Sequence, residues 1–378
     1  MIDLQKCRGE IDSIDREIVA LFQKRMAVSG QVADYKRATG KKIFDKTRED
    51  AILDKIGGMA ENEFQKHCLM ELFSQIMSMS RKLQYSLVDN THDDMKFEEV
   101  EALHLSKDTK IVYLGPEGSY SNQAMDDYFG KEVNSFPAGS FREIMEAIQS
   151  GKAEYGVLPI ENTSTGGITD IYDLLAEYEN YIIGEHVVKI QHALLGVEGA
   201  KIEEIRTVYS HQQGIKQCNQ FLEQHPNMKA VELSSTTLGA KKVCEDQDLT
   251  QAAIASTRAA NSYGLTVLQA GINHENNNAT RFIIISNRKM FLQGANKMSI
   301  SFVAPHISGS LYQMLSHLIF NNLNMTKIES RPLKGKNFEY RFFVDFEGNL
   351  NSPAVKNTLN GIYEEAIQLK ILGNYSEK

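Results

Sequence analysis

Arg25 and Lys36 stand eleven residues apart. On an α-helix, at about 100° per residue, they lie only about 20° apart around the axis and roughly 16 Å apart along it. Two long cations on one face can lean inward and bracket one small anion. Arg8 precedes Arg25 by seventeen residues, roughly 25 Å of helix. It cannot reach the same ligand within its own chain. Either Arg8 is a surface residue, or it serves a site in a second chain. Asp45, Arg48 and Glu49 follow close behind, and Ser80 and Gln84 fall one turn apart on a later helical stretch. Taken singly, each cation reads as solvated, and Asp45 as a turn residue or helix cap.

A second polar set lies further along. YGVLPI runs into ENTSTGG, which contains Asn162; SHQQGIKQC holds Ser210 and Gln217, and Thr280 precedes an apolar run. Polar Gly, Ser, Thr and Asn loops at strand ends are where α/β proteins place ligands. On the residues alone, Thr280 reads as an ordinary strand residue, and Thr163, Ser164 and Thr165 as caps of the next helix.

Three kinds of element must position these residues. In the first forty residues Leu4, Cys7, Ile11, Ile14, Ile18, Leu21, Phe22, Val28, Val32 and Tyr35 recur mostly at steps of three and four, ending at Thr39-Gly40. That predicts one long helix. Thr47-Arg-Glu-Asp50 reads as a capping box for a second helix ending near Gly57-Gly58, and Asn62-Glu-Phe-Gln65 opens a third running to about Tyr85. From Lys110 short apolar strands alternate with helices, the pattern of an α/β unit. From Lys297 the order is β-α-β-β-α-β, the ferredoxin-like arrangement. The expected domains are 1–90, a polar acidic linker 91–108, then 109–288 and 297–376.

Composition narrows the classes. At 378 residues, two or three domains are the expectation. A net charge of −8 argues against general nucleic-acid binding, yet leaves room for a local cation cluster around a small anion. No stretch approaches the roughly 18 apolar residues of a membrane span. The start is charged from its third residue and lacks an apolar signal region, and the four cysteines show no CxxC pairing. A reduced cytoplasmic protein without structural metal is expected.

The set Arg8, Arg25, Lys36, Asp45, Arg48, Glu49, Ser80 and Gln84 resembles that of the all-helical bacterial chorismate mutases. The resemblance implies a three-helix, intertwined dimer in which the first helix contributes to both sites and Arg8 reaches the partner's. Its reaction, chorismate to prephenate, is a pericyclic rearrangement needing no nucleophile, base, metal or cofactor. Arg8 and Arg25 would grip the two carboxylates, Lys36 and Gln84 would donate to the ether oxygen, and Glu49 would accept from the ring hydroxyl, helped by Asp45 and Arg48. Lys36 would contribute most to the transition state.

GPEGSYSNQA, GVLPIENTSTGGI, SHQQGIKQC, STTLGAKKV and TRFIII resemble the prephenate dehydratase signatures. This implies a two-lobed α/β fold similar to periplasmic binding proteins, with prephenate in the cleft. Thr280 would sit at the leaving hydroxyl, orienting or relaying a proton. Asn162, Ser210 and Gln217 would supply hydrogen bonds, with Arg281 and His192 as weaker candidates.

Residues 297–376 resemble an ACT domain, which implies phenylalanine as effector at Gly309, Ser310, Leu311, Asn324 and Ser330. A glycine opening a helix exposes amides suited to a carboxylate. Together these imply a multidomain, homodimeric or larger enzyme taking chorismate to phenylpyruvate under phenylalanine feedback. The tyrosine-branch dehydrogenase would need GxGxxG after a strand, and no such string exists. A non-catalytic amino-acid sensor built on the last two units is the remaining alternative.

Overall fold

The computed structural model describes residues 3–88, 92–275 and 277–378. They form two compact units: 1–96 with 301–370, and 97–300 with 371–378.

The first unit begins with three helices. α1 (Leu4–Thr39) is capped by the Asp3 carboxylate, which accepts from the Gln5 and Lys6 amides, and closes on Gly40 at φ +66°. That left-handed conformation suits glycine. α2 (Lys46–Gly57) is capped by Asp45, accepting from Arg48 N, rather than by the Thr47 box expected from the sequence. α3 (Glu63–Leu87) is capped by Asn62, which accepts from Gln65 N as its spacing predicts. Most of the large apolar residues of α1 do not face a core. Leu4, Ile11, Ile14, Ile18 and Leu21 are each more than half exposed, and the buried positions are Ser29 and Ala33. The small core of this region joins Ala33, Ile43, Tyr85 and Val88.

The rest of the unit supplies the helices Ser310–Phe320 and Pro353–Glu365 and the antiparallel strands Met325–Pro332 and Tyr340–Glu347. With the strands Lys297–Val303 and Gln368–Tyr375 the element order is β-α-β-β-α-β, as expected. The Pro353–Glu365 helix packs on α3.

Two larger sheets and one two-stranded pair make up the second unit among the described residues. In the first, Tyr181–Lys189, Ala279–Ser286, Tyr155–Asn162, Lys110–Leu114 and Asn134–Ala138 lie in that order. The Ala279–Ser286 strand is antiparallel to both neighbours and sets Thr280 opposite Asn162. The second sheet runs Thr266–Ala270, Ala193–Gly196, Gln251–Ala255, Thr207–Ser210 and Lys229–Glu232. Ile111, Tyr113, Met125, Val157, Phe282 and Ile284 pack the first sheet's core. Packing is close enough that Gly184 has no room for a Cβ, which would lie 2.2 Å from the Tyr128 hydroxyl. The stretch expected as linker carries a one-turn helix, Asp93–Met95, and a strand, Glu98–Val100, paired in parallel with Met290–Leu292.

Candidate active sites

Arg25, Lys36, Asp45, Arg48, Glu49, Ser80 and Gln84 line one cavity of about 120 Å³ in the first unit. α1 presents Arg25 and Lys36 from one face, the first turn of α2 brings Arg48 and Glu49, and α3 brings Ser80 and Gln84 one turn apart. The Arg25 guanidinium donates to the Ser80 hydroxyl, which donates to Ile76 O at 2.8 Å. Lys36 Nζ donates to Ile43 O at 2.6 Å. Gln84 Nε2 donates to Ser80 O at 3.1 Å, while its Oε1 is buried without a partner. Such an atom costs about 1–3 kcal/mol until something satisfies it.

Partial burial lowers the Arg25 pKa against the opposing pull of Glu49. It lowers that of Lys36 too, aided by Arg48 and opposed by Asp45 and Glu49. A neighbouring cavity of about 640 Å³ shares Lys36, Asp45 and Arg48 and adds Lys41, Lys42 and Lys46. The cluster is cationic and favours an anion on an acidic chain. Arg8 stands apart, exposed on α1, about 25 Å up the helix from Arg25.

Arg81 also lines the cavity and was missed by the sequence reading. It is buried, with its guanidinium between Glu49 and Glu365. Burial disfavours its charge, but the two carboxylates more than offset this and push its pKa up. The available signal was a basic pair, Arg81-Lys82, in the otherwise apolar-and-small stretch MSMSRKLQYS. An arginine there is almost never buried unless it is paired.

In the second unit a cavity of about 510 Å³ opens between strand ends of the two sheets, lined by Asn162, His192, Gln217 and Thr280 among others. Asn162 Nδ2 donates to Thr280 Oγ1 at 2.9 Å and to Asn278 Oδ1 at 2.8 Å. Asn162 Oδ1 accepts from Ser164 Oγ at 2.6 Å. Gln217 Nε2 donates to Ser164 Oγ at 2.9 Å, and Gln217 Oε1 lies 2.8 Å from His192 Nε2. On the far side, the single Tyr120 O–H proton is shared between Gln191 O at 2.8 Å and His192 Nδ1 at 3.2 Å. One hydrogen-bonded row thus runs Tyr120, His192, Gln217, Ser164, Asn162, Thr280. With Gln217 accepting through Oε1, His192 Nε2 must carry a proton. Burial lowers the His192 pKa, opposed by the bond to Gln217, and raises that of Tyr120.

Several sequence expectations change here. Ser164 does not cap the Thr169–Glu177 helix, which has no side-chain cap; it joins Asn162 to Gln217 instead. Ser210 is fully buried behind the cavity wall and donates to Ile254 O at 2.6 Å. Arg281 bridges Glu161 at 3.0 Å and Glu185 at 3.1 Å, away from the cavity. Tyr120, inside the string GPEGSYSNQA, joins the row although its aromatic type alone gives no sign of it.

Of the residues expected at an effector site, Gly309 caps the Ser310–Phe320 helix at φ +78°, with Ser310 and Leu311 in its first turn. Ser330 is exposed on the Met325–Pro332 strand opposite Phe342. Asn324 lies past the other end of that helix, roughly 16 Å along the axis from Gly309. One chain does not bring Asn324 and Gly309 together.

Residues 7–85 match the family Chorismate mutase type II, and residues 111–290 match Prephenate dehydratase. A bifunctional chorismate mutase/prephenate dehydratase from Aquifex aeolicus is 32% identical across 99% of this chain and 98% of its own. Among solved structures, a prephenate dehydratase from Arthrobacter aurescens in complex with L-Phe is 29% identical, with a TM-score of 0.66 over 71% of this chain and 90% of that one. A quorum quenching acylase, GqqA, matches equally well, at 29% identity and a TM-score of 0.66 over 71% of this chain and 98% of that one. The near full-length match, and both cavities falling inside the matched segments, carry one conclusion: the chain belongs to the bifunctional chorismate mutase/prephenate dehydratase family.

Proposed function

We propose that the helical cavity rearranges chorismate to prephenate and that the cavity of the second unit converts prephenate to phenylpyruvate. The observation that carries the first step is the convergence of Arg25, Lys36, Glu49 and Gln84 from three helices on one cavity. The rearrangement needs its substrate folded and its developing charge stabilised. Arg25 would hold one carboxylate, Lys36 and Gln84 would donate to the ether oxygen as its bond breaks, and Glu49 would accept from the ring hydroxyl.

In the second step the carboxylate on the ring leaves as carbon dioxide. The electron pair of its C–C bond enters the ring as the C–O bond opposite breaks, and the departing hydroxide takes a proton to become water. Thr280 accepts from Asn162, so its own O–H is free to point at the leaving oxygen. A threonine hydroxyl is too weak an acid to act alone. The row from Asn162 to His192 supplies the orientation.

The exposed apolar row on α1 and the isolation of Arg8 support a dimer in which Arg8 of one copy completes the cavity of the other. Leu4, Ile11, Ile14 and Ile18 then become interior, as an amphipathic helix requires. The complex of the Arthrobacter relative with L-Phe, and the glycine opening the Ser310–Phe320 helix, support phenylalanine as a feedback effector at an ACT-like region, 297–376. Asn324 and Gly309 would then meet across two copies. No described helix is long and apolar enough to cross a membrane, which agrees with a cytoplasmic place.

The test is a direct assay on the whole chain: ultraviolet loss of chorismate and appearance of phenylpyruvate, with and without phenylalanine. Lys36→Ala should abolish the first step and spare the second. Chorismate left unconsumed by the wild-type chain would sink this reading.

A further inference from the structure

Glu49 is the one carboxylate in the helical cavity with a buried cation fixed behind it. Arg81 Nη1 lies 2.6 Å from Glu49 Oε1 and bonds both carboxylate oxygens. The other edge of the same guanidinium is taken by Glu365, with Nε 2.7 Å from Oε1 and Nη2 3.3 Å from Oε2. Glu365 is the last residue of the Pro353–Glu365 helix, nearly three hundred residues away in sequence. The Arg81 side chain is 5% exposed and that of Glu365 3%, against 22% for Glu49. Glu365 is held in turn by His317 Nε2 at 3.4 Å and by the Tyr85 hydroxyl at 3.5 Å. The Phe44 ring lies 5.0 Å from the guanidinium carbon and covers one of its faces.

A guanidinium is planar and rigid, so fixing one edge fixes the direction of the other. Glu365 anchors Nε and Nη2 on the buried side, and Nη1 must then point at the cavity. Glu49 is reached by that single nitrogen, which leaves lone pairs on both its oxygens for a ligand hydroxyl. A lone carboxylate at the end of a two-carbon stem would sample several rotamers; this one is tied.

We propose that Arg81 is a positioning residue for Glu49 in the mutase reaction, and that Glu365 of the C-terminal region completes the site by aiming Arg81. The proposal rests on Glu49 accepting the substrate hydroxyl, as argued above. The mutase cavity is then not finished by its three helices: a side chain from the far end of the chain sets the aim of its carboxylate.

The test uses the full-length chain, with dehydratase turnover as the measure of intact folding in the other unit. Glu365→Gln keeps the shape and one acceptor oxygen but turns the other into a donor and removes the charge, and Arg81→Lys keeps the charge but not the fork. Each should lower mutase kcat about tenfold, the scale expected of a small misplacement of one catalytic group, with KM for chorismate changed less than about threefold. Arg81→Met leaves Glu365 buried without its guanidinium partner and is expected to destabilise the chain. The double variant Arg81→Met/Glu365→Met removes both charges and should recover melting temperature while kcat stays low. Recovery of kcat together with melting temperature, or variants that melt lower at wild-type kcat, would show a purely structural role and overturn the proposal. A wild-type chain that leaves chorismate untouched would instead overturn the mutase reading itself.

Discussion

Asn162 donates a hydrogen bond to the Thr280 hydroxyl oxygen at 2.9 Å, from the strand directly opposite in the sheet. The two are 118 residues apart in sequence, yet register makes them neighbours. Because Asn162 occupies an acceptor lone pair of Thr280, the hydroxyl proton must be spent elsewhere, and the cavity is where it faces.

Thr280→Val is isosteric but has no hydroxyl, and should lower dehydratase kcat by about 10²–10³-fold. Thr280→Ser should keep a substantial part of the activity, and both should leave mutase rates unchanged. Phenylpyruvate formation from prephenate measures this. Normal turnover by Thr280→Val would remove Thr280 from the chemistry.

Lys36 must be protonated to donate, and partial burial, aided by Arg48, lowers its pKa below that of an ordinary lysine. Mutase kcat/KM should therefore fall as pH rises, beginning below the usual lysine range. The loss follows the free enzyme's pKa, so kcat/KM and not kcat reports it. A profile flat to the ordinary lysine pKa would contradict the assignment.

Burial alone would raise the Glu365 carboxyl, but the His317 imidazole and the Arg81 guanidinium overcome it and bring it down to about 2. A carboxylate depressed in the folded state contributes stability above its unfolded pKa and loses it as pH falls through the folded one. That window runs from about 4.5 down to about 2. The contribution is at most on the order of 3 kcal/mol. Urea unfolding of the whole chain between pH 5 and 2.5 should show the loss, and Glu365→Gln should flatten it.

A Cβ on Gly361 would lie 2.3 Å from the His317 ring. Gly361→Ala should therefore displace His317 from Glu365 and cost roughly 1–3 kcal/mol, as overpacking does. Thermal melting reads it directly.

Mixing Arg8→Ala and Lys36→Ala chains, each expected to be inactive as a mutase alone, should restore activity. If Arg8 serves the other copy's cavity, each hybrid dimer has one intact site, so random exchange recovers about a quarter of wild-type turnover. Ile14→Lys/Ile18→Lys should yield monomers by sedimentation and abolish mutase but not dehydratase turnover. No recovery on mixing would place Arg8 outside the chemistry.

Local pattern was enough for much of this. Gly40, Asn62 and the three-and-four spacing of α1 mark helix ends and faces because caps and periodicity are properties of neighbouring residues. The Thr47 box was the exception. Asp45, which reads as a cap or turn residue, caps α2 from two positions earlier. Arg25 with Lys36 and Ser80 with Gln84 were visible as pairs, since each shares one helix face, and the family resemblance supplied the rest of that set.

Other relationships depend on contacts between segments far apart in the chain. Ser164 looked like a cap because nothing nearby reveals that Gln217 approaches it from the end of the Gln212–Gln217 helix. Ser210 looked available because only packing shows its hydroxyl spent on Ile254. Arg81 went unremarked, since a basic residue on a helix gains meaning only when its burial and its two carboxylates are known, and Glu365 joins it from the far end of the chain. The spacing of Arg8, Arg25 and Lys36 was settled by the sequence itself, because helix geometry follows from it. The aim of Glu49 and the row from Tyr120 to Thr280 were decided by tertiary structure alone, because burial and hydrogen-bond direction exist only once distant segments have met.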